Sequence, residues 1–440
     1  MKALNTFLFE GKHFIRNPFK VVALLLFVIA GIYGLHNGAS LYNTHKTQIE
    51  TLDEKAAKER QDILNYYEEG KVGPEGRPWV NYTEPFWAVY SSYIYKFKEP
   101  SAAMVYSLGQ AEQYGFYKRV TFQSTPYDSD LAEEIANPER LQTGTLDFSF
   151  VLLFLMPLVL LILIYNLKSY ENEQGFLPLI LVQSASKNIW LLSRVGFYLV
   201  ITFVTIIALL VYGALLTDVF ATANQAFGEM LLLSFLYLIF WGILYLLILR
   251  KGKSILANTL QMVGVFLLFT FLIPAGVHQW ISIEKPANLM TDFIDATRDE
   301  VYALYDQPDS IKEAKLFALF PQVQNTEVAK DSIRKQAAML DSFSALSGQL
   351  VKESMTPIQM ESEEKNRMIQ STYWFNPVVY FQNRFNKNAK THYEDYQQYR
   401  EEIQASIDRQ LQVMIPDTYN AVKVDKNKFL DYINQFNNDQ

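Results

Sequence analysis

The chain has 440 residues, half of them hydrophobic, with 39 Lys and Arg against 46 Asp and Glu, a formal charge of −7, and no cysteine. That balance gives no nucleic-acid footprint, and the lack of cysteine excludes disulfides, cysteine-ligated zinc and thiol catalysis. The five histidines have no metal-ligand spacing. Apolar residues gather in long uncharged runs with the charged residues between them, the pattern of a membrane protein with large aqueous parts.

Residues 1–20 read as an amphipathic lead-in helix. Leu4, Phe7, Leu8, Phe14 and Ile15 recur at helical spacing beside Lys2, Lys12, Arg16 and Lys20, as in a helix lying along a membrane surface. The apolar run that follows is long and lacks a small-residue cleavage site, so it is read as an uncleaved first span over residues 21–41 rather than a signal peptide. Residues 42–147 form a first polar region. In it, Lys46 to Glu69 has a charged helical pattern, and Gly70 to Pro78 breaks the helix with three glycines and two prolines. Trp79 to Tyr127 is expected to mix short helices and strands. Its aromatic cluster of Phe86, Trp87, Tyr90, Tyr93 and Tyr95 is read as core or interface rather than as a ligand site.

Four further spans follow at residues 148–167, 195–216, 230–249 and 255–281. Each is near the ~20 residues that cross ~30 Å of hydrocarbon at a helical rise of ~1.5 Å. Pro274 with Gly276 predicts a kink in the last. Residues 284–440 read as mainly helical, with one stripe of Ala329, Ile333, Ala337, Leu340, Phe343 and Leu350 and a second of Tyr393, Tyr396, Ile403, Ile407 and Leu411. Both stripes are expected to face a bundle packed on the first polar region.

Basic residues in short loops set the orientation. They precede the first span, recur as Lys168, Lys187 and Arg194 between the second and third, and as Arg250, Lys251 and Lys253 between the fourth and fifth, while the turn from Thr217 to Glu229 has none. The amino terminus is therefore expected in the cytoplasm and the carboxyl terminus outside, with both large polar regions extracytoplasmic.

The hairpin at residues 168–194 carries a resemblance. A membrane helix ending Tyr165-Asn-Leu-Lys-Ser-Tyr-Glu171-Asn-Glu173-Gln-Gly175, then a leucine-rich stretch and a Ser-Lys turn before the next span, resembles the permease subunits of ABC-2-type transporters. The basic Arg16-Asn-Pro18 corner is similar to the elbow helix of that family. Tyr373-Trp-Phe-Asn-Pro377, Phe385 and the Tyr393 to Arg400 segment resemble a bacterial subgroup with large extracytoplasmic insertions. The fold expected from the apolar runs is a mainly α polytopic membrane protein with five transmembrane helices, an α+β first outer region and a mainly helical second one. The resemblance implies that the spans form an ABC-2-type permease bundle. It places Glu171, Glu173, Gln174, Gly175, Phe176, Leu177 and Lys187 in a cytoplasmic coupling hairpin that docks on an ATPase. The family's usual sixth span has no counterpart, because Ala421 to Gln440 is polar.

Catalytic patterns are weak. Gly252-Lys253-Ser254 imitates the end of a phosphate loop, but Leu247 stands where the upstream glycine belongs. No span has a charge at its centre, which disfavours ion-coupled transport. Asn258 and Gln261, inside the fifth span, are expected to hydrogen-bond neighbouring helices.

The function expected is that of a non-catalytic exporter permease in the bacterial cytoplasmic (inner) membrane, holding no cofactor, with ATP bound by a separate cytoplasmic ABC ATPase. The other implied partners are a second permease, identical or paralogous, the lipid bilayer and an extracytoplasmic protein. Charge reversal at Glu171 and Glu173 is expected to uncouple hydrolysis from transport without unfolding. The alternatives are a membrane-anchored receptor or scaffold, and a membrane-embedded enzyme. The enzyme requires an ionisable cluster near a membrane face, which the sequence does not display.

Overall fold

The computed structural model describes residues 3–130, 146–183, 186–252, 254–286, 294, 298 and 301–437. Lys2, Lys253, the end of the first polar region and most of residues 287–300 lie outside the described residues. The chain is mainly helical, and the described residues include five helices long and apolar enough to cross a membrane.

Helix α1, Ala3–Ile15, leads into α2, Pro18–Glu68. Asn17 makes the corner: its side chain accepts from the Lys20 backbone N–H, and Pro18 takes the first helical position, where a missing N–H costs nothing. The span expected to end near Leu41 is only the apolar half of α2, which continues unbroken through the charged segment for 51 residues. No proline lies between Pro18 and Glu68 to stop it. It ends beside Gly70, whose φ of +67° suits glycine.

The other long helices are α3, Phe148–Glu173, with the short helix α4, Leu177–Gln183, after it; α5, Lys187–Leu216; α6, Asn224–Lys251; and α7, Ile255–Glu284. Two of them are irregular in the same way. A π-helical turn, Val151–Leu155, precedes Pro157 in α3, and another, Leu268–Leu272, precedes Pro274 in α7. Proline cannot donate to the carbonyl four residues back, so the helix widens there. The buried Tyr237 hydroxyl donates to the Leu153 carbonyl at 2.7 Å, supplying the bond that Pro157 withholds. The irregularity expected around Pro274 is this π-turn.

Close contacts of α2, with the start of α3 and with the backbone at Val105, depend on small residues. A Cβ on Gly34 would fall 2.7 Å from the Asp147 backbone, and one on Gly38 would fall 2.4 Å from the Val105 carbonyl oxygen. Asp147 joins the two halves of the molecule: its carboxylate accepts from Phe150 N at 2.7 Å, capping α3, and from Leu108 N at 2.9 Å. Full burial pushes this carboxyl upward, and those hydrogen bonds oppose the push.

The polar regions form one lobe with its own core. Strands β1, Ile94–Phe97, and β2, Tyr117–Val120, pair antiparallel in register Ile94↔Val120 through Phe97↔Tyr117. Phe86, Trp87, Tyr90 and Tyr93 pack on the lobe core, and Tyr95 stacks on Phe97. The long lobe helices are α8, Phe343–Ser371; α9, Pro377–Asn388; α10, Tyr393–Tyr419; and α11, Lys426–Asn437. Tyr396, Ile403, Ile407 and Leu411 of the second stripe are buried. The first stripe is corrected. Asp331 ends one short helix and caps the next, Ser332–Asp341, so the face rotates, leaving Ile333 81% and Leu340 74% exposed.

One lobe helix belongs to the bundle. Val378, Phe381 and Phe385 of α9 are buried in the core of the long helices, with the Phe381 ring 4.9 Å from that of Tyr237. α9 also packs against both π-turns. Phe385→Ala is expected to destabilise the protein by about 3–5 kcal/mol, seen as earlier thermal unfolding in detergent, whereas Trp374→Ala, at an 85% exposed position, leaves the transition in place.

Candidate functional site

The site is the elbow between α3 and α5, together with the helix ends around it. Its sharp turn has a local cause. The last turn of α3, Ser169–Glu173, closes with Phe176 N donating to Glu171 O at 2.9 Å and Gly175 N to Asn172 O at 3.2 Å. With Gly175 at φ +74°, this is a Schellman motif, and it explains the acidic-Glu-x-Gly pattern without any partner.

Polar side chains then tie the elbow to the α6–α7 turn. Lys168 is buried, and its Nζ donates to the carbonyls of Leu249, Arg250 and Gly252 at 3.0, 2.7 and 2.9 Å. Those groups end α6, where carbonyls lack helical partners and the helix dipole favours a cation. Asn258 of α7, fully buried, donates to Ser169 Oγ, the interhelical bond expected of it. Gly252 passes so close that a Cβ would fall 1.5 Å from Asn258 Oδ1. Glu173 Oε1 accepts from Ile255 N at 2.7 Å at the start of α7. The phosphate-loop look-alike is thus a helix-to-helix turn, with Ser254 capping α7 through Ala257 N.

On the other side of the elbow lies a cluster of ionised groups. Trp190, Arg194 and Tyr198 recur every four residues along one face of α5. The Arg194 guanidinium, Nε to Oε2, meets Glu10 of α1 at 2.6 Å; Nη1 donates to Leu167 O at 2.5 Å and to Glu171. Its plane sits 5.1 Å from the Trp190 ring. Tyr198 donates to Glu10 Oε1 at 2.7 Å, and Lys20 Nζ donates to Leu163 O at 2.5 Å and to the Tyr198 hydroxyl at 3.1 Å. Two carboxylates and two cations leave this pocket of charge neutral.

Burial alone would raise the Glu10 carboxyl. The Arg194 charge and the hydrogen bonds from Arg194 and Tyr198 outweigh it and hold the pKa below its ordinary 4.5. Chemically, each charge already has an opposite charge or a carbonyl against it, so the arrangement holds α1, α2, α3 and α5 together.

Two expectations are corrected here. The ionisable cluster thought to be missing near the ends of the spans is present. Glu171 is not an outward-facing carboxylate; it is committed to Arg194, so reversing its charge would damage the fold rather than spare it. Glu173 is exposed but caps α7. Gln174, Gly175 and Lys187 are exposed and Leu177 is buried, while Phe176, Leu179 and Val182 are 55, 65 and 87% exposed. A spacing of three sets these apolar side chains along one side of α4.

Sequence reasoning counted Lys20 and Arg194 only as orienting charges and passed over Glu10 and Tyr198. A signal existed: Glu10 lies with Thr6, Phe7 and Phe14 on the covered face of α1, while Leu8, Phe9 and Ile15 are exposed. A single acid on the packed face of an amphipathic helix points to a buried cation opposite. No family model, curated protein or solved structure matches this chain.

Breaking one partner of a buried ion pair costs about 3–5 kcal/mol, and Glu10→Gln is expected to fall in that range at neutral pH. Because the folded pKa is lowered, the carboxylate's contribution is complete above the ordinary value and is lost as pH falls from 4.5 through the lowered one. Thermal unfolding of wild type and variant across pH 3 to 7 (about the titration range of a carboxylate) is expected to show the two curves converging only at the acid end.

Proposed function

We propose that this chain is the membrane subunit of an ATP-driven exporter of the ABC-2 type, with α1, the elbow and the α6–α7 turn in the bacterial cytoplasm and the polar lobe outside. The distribution of Lys and Arg over the short loops supports this orientation. The chain has no nucleotide-binding motif, so hydrolysis belongs to a separate ATPase, and a second permease subunit completes the path.

The observation that carries the reading is the construction of the elbow. It is bound at Lys168, Ser169, Glu171 and Glu173 to the surrounding helices, yet leaves Phe176, Leu179 and Val182 uncovered. A corner fixed this firmly to three long helices, α5, α6 and α7, can transmit a push to all of them. An apolar face beside it, at a polar end of the bundle, is suited to receive that push from a partner's groove.

The docking residues are therefore Phe176, Leu179 and Val182, with Glu171 and Glu173 acting from behind as supports. The double variant Phe176→Asp/Leu179→Asp is expected to insert and unfold like wild type, to lose the co-purifying ATPase in mild detergent, and to abolish stimulation of that ATPase by the permease. Retention of a fully stimulated ATPase by this variant would remove the elbow from the coupling path.

A further inference from the structure

At the far end of the bundle from the elbow, five parts of the chain enclose a cleft of about 730 Å³. They are the end of α7, residues 110–114, α8, α9 and the start of α10. The volume lies within the range of small-molecule sites, ~300–1,000 Å³. In a protein with 46 acidic residues, the described residues that line the cleft include no carboxylate and one permanent cation, Lys365.

Amides are the largest group in the lining, five side chains: Gln110, Gln113, Asn366, Asn383 and Asn386. Asn383 and Asn386 are held in place by Tyr373 and Ser107. His392 accepts at Nδ1 from Glu394 N, which leaves its proton on Nε2. The Tyr393 hydroxyl is buried with no hydrogen-bond partner among the described residues, although buried hydroxyls are nearly always paired. Tyr114 and Tyr393 add two aromatic rings.

We infer that this cleft binds a saccharide. Each amide offers an acceptor and two donors in one plane, and each sugar hydroxyl is both donor and acceptor, so adjacent amides match adjacent hydroxyls. The lone cation argues against a polyphosphate or other polyanion, which draws several Arg or Lys. The absent carboxylates argue against an amine. Ile369 and Pro286 are the only aliphatic side chains lining the cleft among the described residues, and a lipid tail or an apolar drug would bury the amides without hydrogen-bond partners. An extended peptide would pair with a strand edge, and neither β1 nor β2 lines the cleft.

The inference does not rest on ATP coupling, and its test is separate. The full chain, purified in a detergent without a sugar headgroup, is applied to an array of neutral and acidic oligosaccharides, and the retained glycans are titrated by calorimetry. At least one glycan is expected to bind saturably. Gln113→Ala/Asn366→Ala, which removes no side-chain hydrogen bond among the described residues, should weaken it tenfold or more. Ser362→Trp, which fills the cleft, should abolish it with unfolding behaviour unchanged. An array with no glycan retained above a protein-free control, or a glycan held equally by wild type and both variants, overturns the assignment.

Discussion

A guanidinium cannot shed its charge in a protein, so once Arg194 is buried at the end of a long apolar helix every nearby group must accommodate it. Glu10 of α1, and Glu171 and the Leu167 carbonyl at the end of α3, do so from two different helices. The position of α1 against the elbow follows from that requirement, while the turn at Gly175 that stops α3 is set locally. Against well-packed apolar side chains such a cluster adds little net stability. Its effect here is on register: α1 can slide neither along α5 nor away from it without stranding a charge.

The same accounting governs the backbone. Apolar helices have no water to satisfy a freed carbonyl, and at three places where this bundle departs from a regular helix a side chain serves the backbone. Tyr237 serves Leu153 beside Pro157, Lys168 serves the end of α6, and Asp147 serves the start of α3 and the lobe loop at Leu108. α9 then packs on the two widened turns, where the bundle surface is least regular. The lobe is therefore not an appendage; its helix α9 belongs to the bundle core.

Much of this was legible in the sequence, and the reason is length. The five apolar runs, the break at Gly70, the irregularity near Pro274 and the second stripe of α10 are periodic or compositional features that need no tertiary information. What escaped are contacts between residues far apart in the chain. Glu10 and Arg194 are separated by 184 positions, and no local pattern pairs them. Glu171 was misplaced for the same reason: a surface-looking acid in a polar loop turned inward because a cation waited there. The Ile333 and Leu340 stripe failed because Asp331, inside that stretch, is a cap that starts a new helix.

The unbroken run of α2 has a mechanical corollary. Its 51 residues make a rod about 76 Å long, of which roughly 30 Å would cover the hydrocarbon thickness. The remainder ascends through the lobe and ends where Glu68 meets Lys426 of α11 at 2.6 Å. A rod without a hinge cannot absorb rotation along its length. Lys20, near its foot, belongs to the same charged group as the elbow, so a tilt of a few degrees there sweeps the summit of the lobe through several ångströms.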